Sequence, residues 1–363
     1  MYPTRWKMFG LYGKIASIAL VTTLVIAGYN FYKPGLINRT STKNPTQCTK
    51  ITHIAFLKVH KCGSTTMSNI LHRFALRYNL NVILPDKNGT RFWVLGVLDK
   101  NTHKKIIPVA KGEEYNILAV DTYYNKHIYE QLIPNHPFFL AIFREPVERY
   151  ISYLFYDGGV SKKLKQKMET DPYIFHNYTG GAPPILRDFS FYVQHSSLIR
   201  FTERMDKEFD MIMVTEYFDQ SLILLKRKLC WTFQDIIYIT RNKNFRNQGY
   251  AVSPTDRQNI IKQFKHDSIF YEHFKSKLFK ELSKLGAGFL EELHQFKMVL
   301  KLVKDYCTFV KKGDESLIIP KSTWNQQFIV DPYECYLMQL TEFPLVNILQ
   351  KRQHKLYSEH SKI

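Results

Sequence analysis

Short apolar runs alternate with amphipathic stretches along most of this chain. Four of the runs are nearly all apolar, which is typical of strands buried on both faces: 51–58, 116–121, 138–143 and 210–218. Apolar residues at helical spacing follow three of them: in 65–79, from about Pro146, and in 219–230. Strands that alternate with helices predict an α/β fold, in which a parallel sheet is flanked by helices.

The pattern changes after the last of these helices. The run 235–239 predicts one more short strand, whereas residues 255–310 have almost continuous helical spacing. Ser253 and Pro254 precede that region, and Ser followed by Pro is typical of a helix start. The sequence therefore predicts a mostly helical C-terminal part.

The N-terminal region contains a long apolar stretch. Residues 15–32 are 18 residues without a charged side chain, and a helix of that length spans roughly 27 Å, close to a bilayer core. No small-residue cleavage site follows, which favours an uncleaved anchor over a signal peptide or a buried core helix. Only basic charges precede it, which predicts a type II topology. The predicted parts are a cytosolic tail (1–14), a transmembrane signal-anchor (15–32), a stem (33–50) and a lumenal domain (51–363).

Sequons and cysteines agree with a lumenal domain. Three N-glycosylation sequons follow the anchor, at Asn38, Asn88 and Asn177. No CxxC pair or Cys/His cluster at zinc spacing occurs, so no metal site is predicted. Cys62 lies in the loop described below and is predicted to be a free thiol. The other four cysteines can form up to two disulfides, whose pairing the sequence leaves open: Cys48, Cys230, Cys307 and Cys335.

Composition and charge narrow the class of partner. Of the 363 residues 45% are hydrophobic, which predicts a packed core and excludes a disordered chain. There are 51 Lys and Arg against 32 Asp and Glu, so the formal net charge is +19. This excess predicts an anionic partner: a nucleic acid, an acidic membrane surface, or a phosphorylated or sulfated small molecule.

The first informative motif follows the first strand. Lys61, Cys62, Gly63, Ser64, Thr65 and Thr66 stand between that strand and a predicted helix. Backbone N–H groups, hydroxyls and a lysine at a helix N-terminus form a cradle for an anion. The order differs from a Walker A loop, in which glycine precedes the lysine. An ordinary strand–helix turn with a capping serine is the alternative.

The second motif follows the third strand. Arg144 stands at the carboxyl end of 138–143, and Ser152 comes eight residues later, about two turns into the next helix. Ligands of open α/β sheets bind beyond the carboxyl ends of the strands, so both motifs are expected to face one crevice. Arg144 can bind a second phosphate there, although a helix-start salt bridge is an alternative. Together the motifs predict a nucleotide with phosphates at two ends.

These residues resemble a known family. The patterns K-x-G-[ST]-[ST] and R-x-P-x(5)-S resemble the two phosphate loops of sulfotransferases that use 3′-phosphoadenylyl sulfate (PAPS). Residues 53–85 and 209–239 are similar to the galactose 3-O-sulfotransferases, which include galactosylceramide sulfotransferase. The resemblance implies a P-loop-kinase-like fold and a type II enzyme of the Golgi membrane. It implies transfer of a sulfuryl group from PAPS to a hydroxyl of galactose on a glycolipid or glycan. The name of the family indicates the 3-hydroxyl.

The resemblance also implies roles for the residues of both motifs. Lys61 would contact the bridging oxygen of PAPS and stabilise the leaving phosphate. The loop from Cys62 to Thr66 would hold the 5′-phosphosulfate, and Arg144 and Ser152 would hold the 3′-phosphate.

The general base is harder to place, because the sequence departs from its relatives. The family that this sequence resembles has a pattern with two adjacent histidines, at the positions where Val120 and Asp121 stand here. Asp121 is our hypothesis for the base, and a turn-capping aspartate is the alternative. His127 is a second candidate. His60, next to the lysine, is a third, although its place in the loop indicates a shaping role.

Other classes of protein fit part of the pattern. A P-loop nucleotide kinase shares the architecture but needs the Walker order and a metal-binding Asp. A nucleic-acid-binding protein would explain the charge, but no such signature appears, so no nucleic acid partner is predicted. A sulfotransferase for another carbohydrate and a non-catalytic PAPS- or glycan-binding relative stay open, as does a homodimer.

Overall fold

The computed structural model describes residues 48–86, 94–156, 184–192, 197–240 and 253–360. The chain divides into two compact units, Met1–Cys48 and Thr49–Ile363, and the description below concerns the second. The predicted anchor and the three sequons lie outside the described residues. Among the helices that are described, none has the length and apolarity needed to cross a bilayer.

Eight strands are formed by the described residues. They are β1 (Ile54–Leu57), β2 (Val94–Gly96), β3 (Ile117–Leu118), β4 (Asp121–Thr122), β5 (Phe138–Phe143), β6 (Met211–Val214), β7 (Leu317–Ile319) and β8 (Phe328–Val330). The helices of the same residues are α1 (Ser64–Arg77), α2 (Lys126–Leu132), α3 (Pro146–Tyr156), α4 (Leu198–Glu208), α5 (Phe218–Leu229), α6 (Phe233–Ile236), α7 (Pro254–Gln263), α8 (Lys265–Leu282), α9 (Ala287–Phe309), α10 (Pro332–Gln339) and α11 (Glu342–His360).

The central sheet has four parallel strands in the order β3-β1-β5-β6. Ile54 of β1 pairs with Ile117 of β3 on one side and with Phe138 of β5 on the other. The chain therefore places β3 on one side of β1 and later places β5 on the other side. The predicted parallel α/β sheet is confirmed, and β1 and β5 flank a switch point, where the loops after both strands open onto one crevice.

Two predicted strands need correction. The run 116–121 is divided, because Asp121 and Thr122 form β4 and pair with β2 in a separate two-stranded sheet. The hydroxyl of Thr122 donates a hydrogen bond to the carbonyl of Gly96 (2.8 Å), which fixes this departure from the central sheet. The run predicted as a strand at 235–239 begins instead with the end of helix α6. A capping box of Thr232 and Asp235 starts that helix, and apolar periodicity does not register such side-chain caps.

The helical C-terminal part begins as predicted, since the Ser253 hydroxyl accepts a hydrogen bond from the Asp256 amide (3.1 Å) at the start of α7. The chain then forms more than the sequence indicated, namely the antiparallel hairpin β7–β8 and helices α10 and α11. The guanidinium of Arg73 on α1 forms an ion pair with Glu334 on α10 (2.5 Å). These last helices therefore pack against the helix that follows the first motif.

The cysteines agree with the prediction. Cys307 at the end of α9 and Cys335 in α10 form a disulfide. Cys230 is disulfide-bonded as well, and Cys62 is a buried free thiol. This disulfide joins α9 to α10 within the C-terminal part of the domain.

Candidate active site

The loop after β1 has the backbone of an anion-binding turn. Lys61 and Gly63 both have left-handed backbone angles, with φ values of 65° and 77°. The first hydrogen bonds of α1 run from the amides of Thr66 and Met67 to the carbonyl of Gly63 (3.1 and 3.4 Å). The amides just before Thr66 come ahead of the first intrahelical bond, as the first amides of a helix usually do. The loop thus directs N–H groups and a positive helix end to one place.

Thr215 connects this loop to the ends of two other strands. It follows β6 directly, and its hydroxyl oxygen lies 2.5 Å from the carbonyl oxygen of Cys62 and 2.7 Å from that of Phe143. A Cβ at Gly63 would stand 3.4 Å from the Thr215 methyl group, so the loop after β1 and the residue after β6 are in close contact. The carboxyl ends of β1, β5 and β6 are therefore fixed to one another at the crevice.

Two residues of the loop have inward-facing side chains. Cys62 is fully buried, and burial raises the pKa of its thiol to about 12, so the thiol stays protonated and only the backbone faces the crevice. The hydroxyl of Ser64 donates to the carbonyl of Val59 (2.7 Å) and so closes the turn. Thr65 is exposed, and Lys61 and Thr66 are half-buried. The residues available to a ligand are hence fewer than the motif contains.

The second motif meets the first, as the sequence predicted. The guanidinium of Arg144 lies 3.4 Å from the carbonyl oxygen of Lys61 and 3.8 Å from the Glu148 carboxylate. Ser152 is half-buried on α3. Arg149, which sequence analysis missed, is buried on the same helix, and its Nε lies 3.4 Å from the carbonyl of His60. The end of β5 and helix α3 thus each bring one guanidinium group, Arg144 and Arg149, to the loop after β1.

A buried lysine joins two carboxylates beside the loop. The ammonium of Lys58 lies 2.7 Å from the Asp121 carboxylate and 3.0 Å from that of Glu342, the first residue of α11. Burial alone would lower the pKa of Lys58, but the two carboxylates outweigh it and hold that pKa above its ordinary value. Burial raises the pKa of Glu342, and the charge of Lys58 opposes this rise.

His60 is held by a second carboxylate system. Asp188 accepts hydrogen bonds from the backbone amide of His60 (2.9 Å) and lies 3.0 Å from its Nδ1. The other ring nitrogen, Nε2, stands 3.8 Å from Asp121, and the side chain is 47% exposed. The hydrogen bond to Asp188, opposed by partial burial, raises the pKa of His60 above its ordinary value of 6.5. This is a carboxylate-oriented imidazole whose second nitrogen is open to a ligand.

Asp188 is itself held in place by the core. It follows the turn Ile185–Arg187, whose amides at Ile185 and Leu186 donate to the buried carboxylate of Asp267 (2.7 and 3.2 Å). Burial raises the pKa of Asp267 to about 6. The orientation of His60 thus depends on a chain from α8 through this turn.

The three predicted candidates for the base are placed differently. Asp121 is buried against Lys58 and near His60. His127 is exposed on α2, where its Nε2 lies 3.0 Å from the side-chain amide of Gln131. Among the contacts of the described residues, none joins His127 to Lys58, Asp121 or His60. The structure brings two of the three candidates together.

Several residues of the site were missed by sequence analysis. Lys58 had a signal, because a lysine at the carboxyl end of an otherwise apolar strand is unusual. Asp188 and Glu342 had none, since each reaches the site from a distant part of the chain.

A parallel sheet flanked by helices, with an anion-binding loop and two arginines at its switch point, fits a sulfotransferase fold. The chain belongs to the galactose-3-O-sulfotransferase family, whose model matches residues 14–175 and 187–325.

Curated relatives agree with this assignment. The chain is 26% identical to human galactose-3-O-sulfotransferase 3 over 292 residues, which cover 74% of this chain and 65% of the relative. It is 26% identical to human galactose-3-O-sulfotransferase 2, with 64% and 61% covered, and 24% identical to human galactosylceramide sulfotransferase, with 66% and 60% covered. The matches thus span less than two thirds of these relatives.

Proposed function

We propose that this protein transfers a sulfuryl group from PAPS to the 3-hydroxyl of galactose on a glycolipid or glycan. The observation that carries this proposal is the meeting of the Lys61 loop and Arg144 at the switch point, next to the imidazole of His60. Family membership and the names of the relatives support the same reaction.

The residues of the crevice fit the two charged ends of PAPS. The early amides of α1, Lys61 and the hydroxyl of Thr66 supply donors and positive charge for the 5′-phosphosulfate. Arg144 and Ser152 stand on the neighbouring strand end and helix and would take the 3′-phosphate. The left-handed turn at Gly63 allows the close backbone approach that a phosphate needs.

The transfer itself requires positioning and charge stabilisation. A bond forms between the acceptor hydroxyl oxygen and sulfur while the bond from sulfur to the phosphate oxygen breaks. Lys61 would stabilise the negative charge that builds on that phosphate oxygen. The proton of the hydroxyl passes to a base on the protein.

His60 is the base that the geometry favours. Its Nδ1 is bound to Asp188, so Nε2 is left to accept a proton, and the imidazolium that forms is stabilised by the same carboxylate. Asp121 remains the alternative from the sequence, but its carboxylate is buried in an ion pair with Lys58. In this proposal the carboxylate of Asp121 stands near Nε2 of His60, on the side opposite Asp188, and does not itself accept the proton.

The location of the protein is a second part of the proposal. The apolar stretch at 15–32, the basic residues before it and the sequons after it support a type II protein of the Golgi membrane, with its catalytic domain in the lumen. The acceptor would then be a galactoside of the lumenal glycolipids or glycans.

Labelled sulfate transfer from PAPS to a panel of galactosides and galactolipids tests the reaction. Wild type is expected to label at least one galactoside, and Lys61→Ala is expected to lose about a thousandfold in kcat/KM. Arg144→Ala should mainly weaken PAPS binding, by about a hundredfold. Lys111→Ala, at an exposed lysine elsewhere in the domain, is the matched control and should behave as wild type. Transfer to no acceptor, together with no binding of PAPS, would overturn the proposal.

A further inference from the structure

We propose that Glu342 is a positioning residue of the active site, which acts through Lys58 on the Asp121–His60 pair. The inference rests on the proposed function, because it assigns Glu342 a part in the same site. Glu342 lies beyond residue 325, where the match to the family's model ends. The C-terminal helix α11 would thus have a role in the site that family membership does not supply.

The contacts of Glu342 converge on Lys58. One carboxylate oxygen lies 3.0 Å from the Lys58 ammonium, which is 2.7 Å from Asp121. The other oxygen is buried and has no hydrogen-bond partner among the described residues. A buried carboxylate with one oxygen unpaired costs stability, so its single ion pair does not explain why a carboxylate stands here.

Helix α11 does not need Glu342 as an anchor. The side chain of Gln350 donates to the Pro85 carbonyl (2.8 Å), and that of Gln353 accepts from the Val82 amide (3.1 Å). In the preceding helix, Glu334 pairs with Arg73 and Arg77 of α1. The C-terminal helices are thus attached to the domain by contacts that leave Glu342 available for Lys58.

The charge of Glu342 controls how strongly Lys58 acts on its neighbours. The ionisable groups around this cluster are Lys58, Asp121, His60, Asp188, Arg149 and His72 of α1. Burial, with a contribution from Lys58, lowers the pKa of His72 to about 3, so His72 is neutral. Lys58 lowers the pKa of His60, whereas Asp121 and Asp188 raise it. Two carboxylates on Lys58 reduce its effect on His60 and hold Asp121 between the lysine and the imidazole.

Removal of the Glu342 charge has a predictable sign. In Glu342→Gln the ammonium of Lys58 keeps one carboxylate partner, Asp121, and its positive charge is less compensated. The pKa of His60 then falls, because the protonated imidazole meets a stronger positive charge. Since the base must be neutral, the acid limb of kcat/KM moves to lower pH, by about half a unit. We also expect kcat/KM at the plateau to fall about tenfold, because Lys58 loses its second carboxylate partner and holds Asp121 less firmly beside the imidazole.

Glu334→Gln is the matched control. Its side chain is 18% exposed against 17% for Glu342, and it belongs to the same C-terminal helices, but its partners are Arg73 and Arg77. This variant should lower Tm without moving the acid limb. Glu342→Asp keeps the charge and should keep the wild-type acid limb even where its rate is lower.

The titration of His60 can be followed without turnover. Diethyl pyrocarbonate modifies neutral imidazole, and mass spectrometry of the His60 peptide from the full-length protein gives the rate of modification at each pH. The modification midpoint of His60 in Glu342→Gln is expected about half a unit below wild type. A midpoint that coincides with wild type in a folded Glu342→Gln protein would overturn the inference. Because this readout needs no PAPS, it separates failure of the positioning role from failure of the proposed reaction.

Discussion

The loop after β1 and the C-terminal helices contribute to the candidate site in opposite ways. The loop between β1 and α1 is built from neighbouring residues, with left-handed turns at Lys61 and Gly63 and a helix start at Ser64. The C-terminal helices contribute one side chain, Glu342, which reaches Lys58 from the far end of the chain. The anion-binding backbone is thus encoded locally, whereas the charge balance around His60 depends on long-range packing.

The difference has a physical basis. An anion is bound by backbone amides and a helix end, which short sequences of Gly, Lys and hydroxyl residues produce by themselves. A buried ammonium needs partner carboxylates at hydrogen-bond distance, and only the folded domain brings these together. The pair Lys58–Glu342 is therefore the point at which the two regions depend on each other.

The largest effect is expected at His60. His60→Gln should lower kcat/KM by several hundredfold, because a positioned base contributes about 10² to 10⁴ in rate. In wild type the rate should rise with pH through the pKa of His60, which lies above 6.5, because only the neutral imidazole accepts a proton. Steady-state transfer from PAPS between pH 5 and 9 measures both quantities.

Asp121→Asn serves as the comparison for this prediction. It keeps the shape of the side chain beside Lys58 and should cost about tenfold, through the orientation of the imidazole. A loss at Asp121 that exceeds the loss at His60 would contradict the assignment and favour the carboxylate as the base. Near-normal turnover of Asp121→Asn would eliminate the sequence-based hypothesis.

Whether a feature of the fold or site could be predicted from the sequence depends on how far apart along the chain the interacting residues are. The parallel sheet, helix α1 and the meeting of the Lys61 loop with Arg144 were predictable, because apolar runs and motif order determine them. The hydrogen bond between Asp188 and His60 joins residues 128 positions apart, and no pattern in either segment indicates it. The prediction of a strand at 235–239 is wrong, because the capping box of Thr232 and Asp235 starts a helix there and outweighs the apolar pattern.

An intermediate effect is expected on stability in the C-terminal region. Replacing Cys307 and Cys335 by serine removes a disulfide that closes a segment of 28 residues, and should lower the free energy of unfolding by about 3 kcal/mol. Urea unfolding followed by tryptophan fluorescence measures this. PAPS affinity in the absence of urea should stay within about twofold of wild type, because Thr215 and Arg144 hold the loop after β1 without help from the disulfide. A parallel loss of PAPS affinity would show that the two regions are not separable.

The smallest effect is expected at His127, which the sequence offered as a candidate base. Its imidazole is exposed on α2 and faces Gln131 along the same helix, so its removal leaves no buried group unpaired. His127→Ala should keep kcat/KM within about twofold of wild type, measured beside His60→Gln under the same conditions. A tenfold or larger loss would mean that α2 moves toward the crevice when PAPS and acceptor bind. The base would then come from α2 and not from the loop after β1, and the comparison between a locally encoded loop and long-range charge contacts would have to include α2.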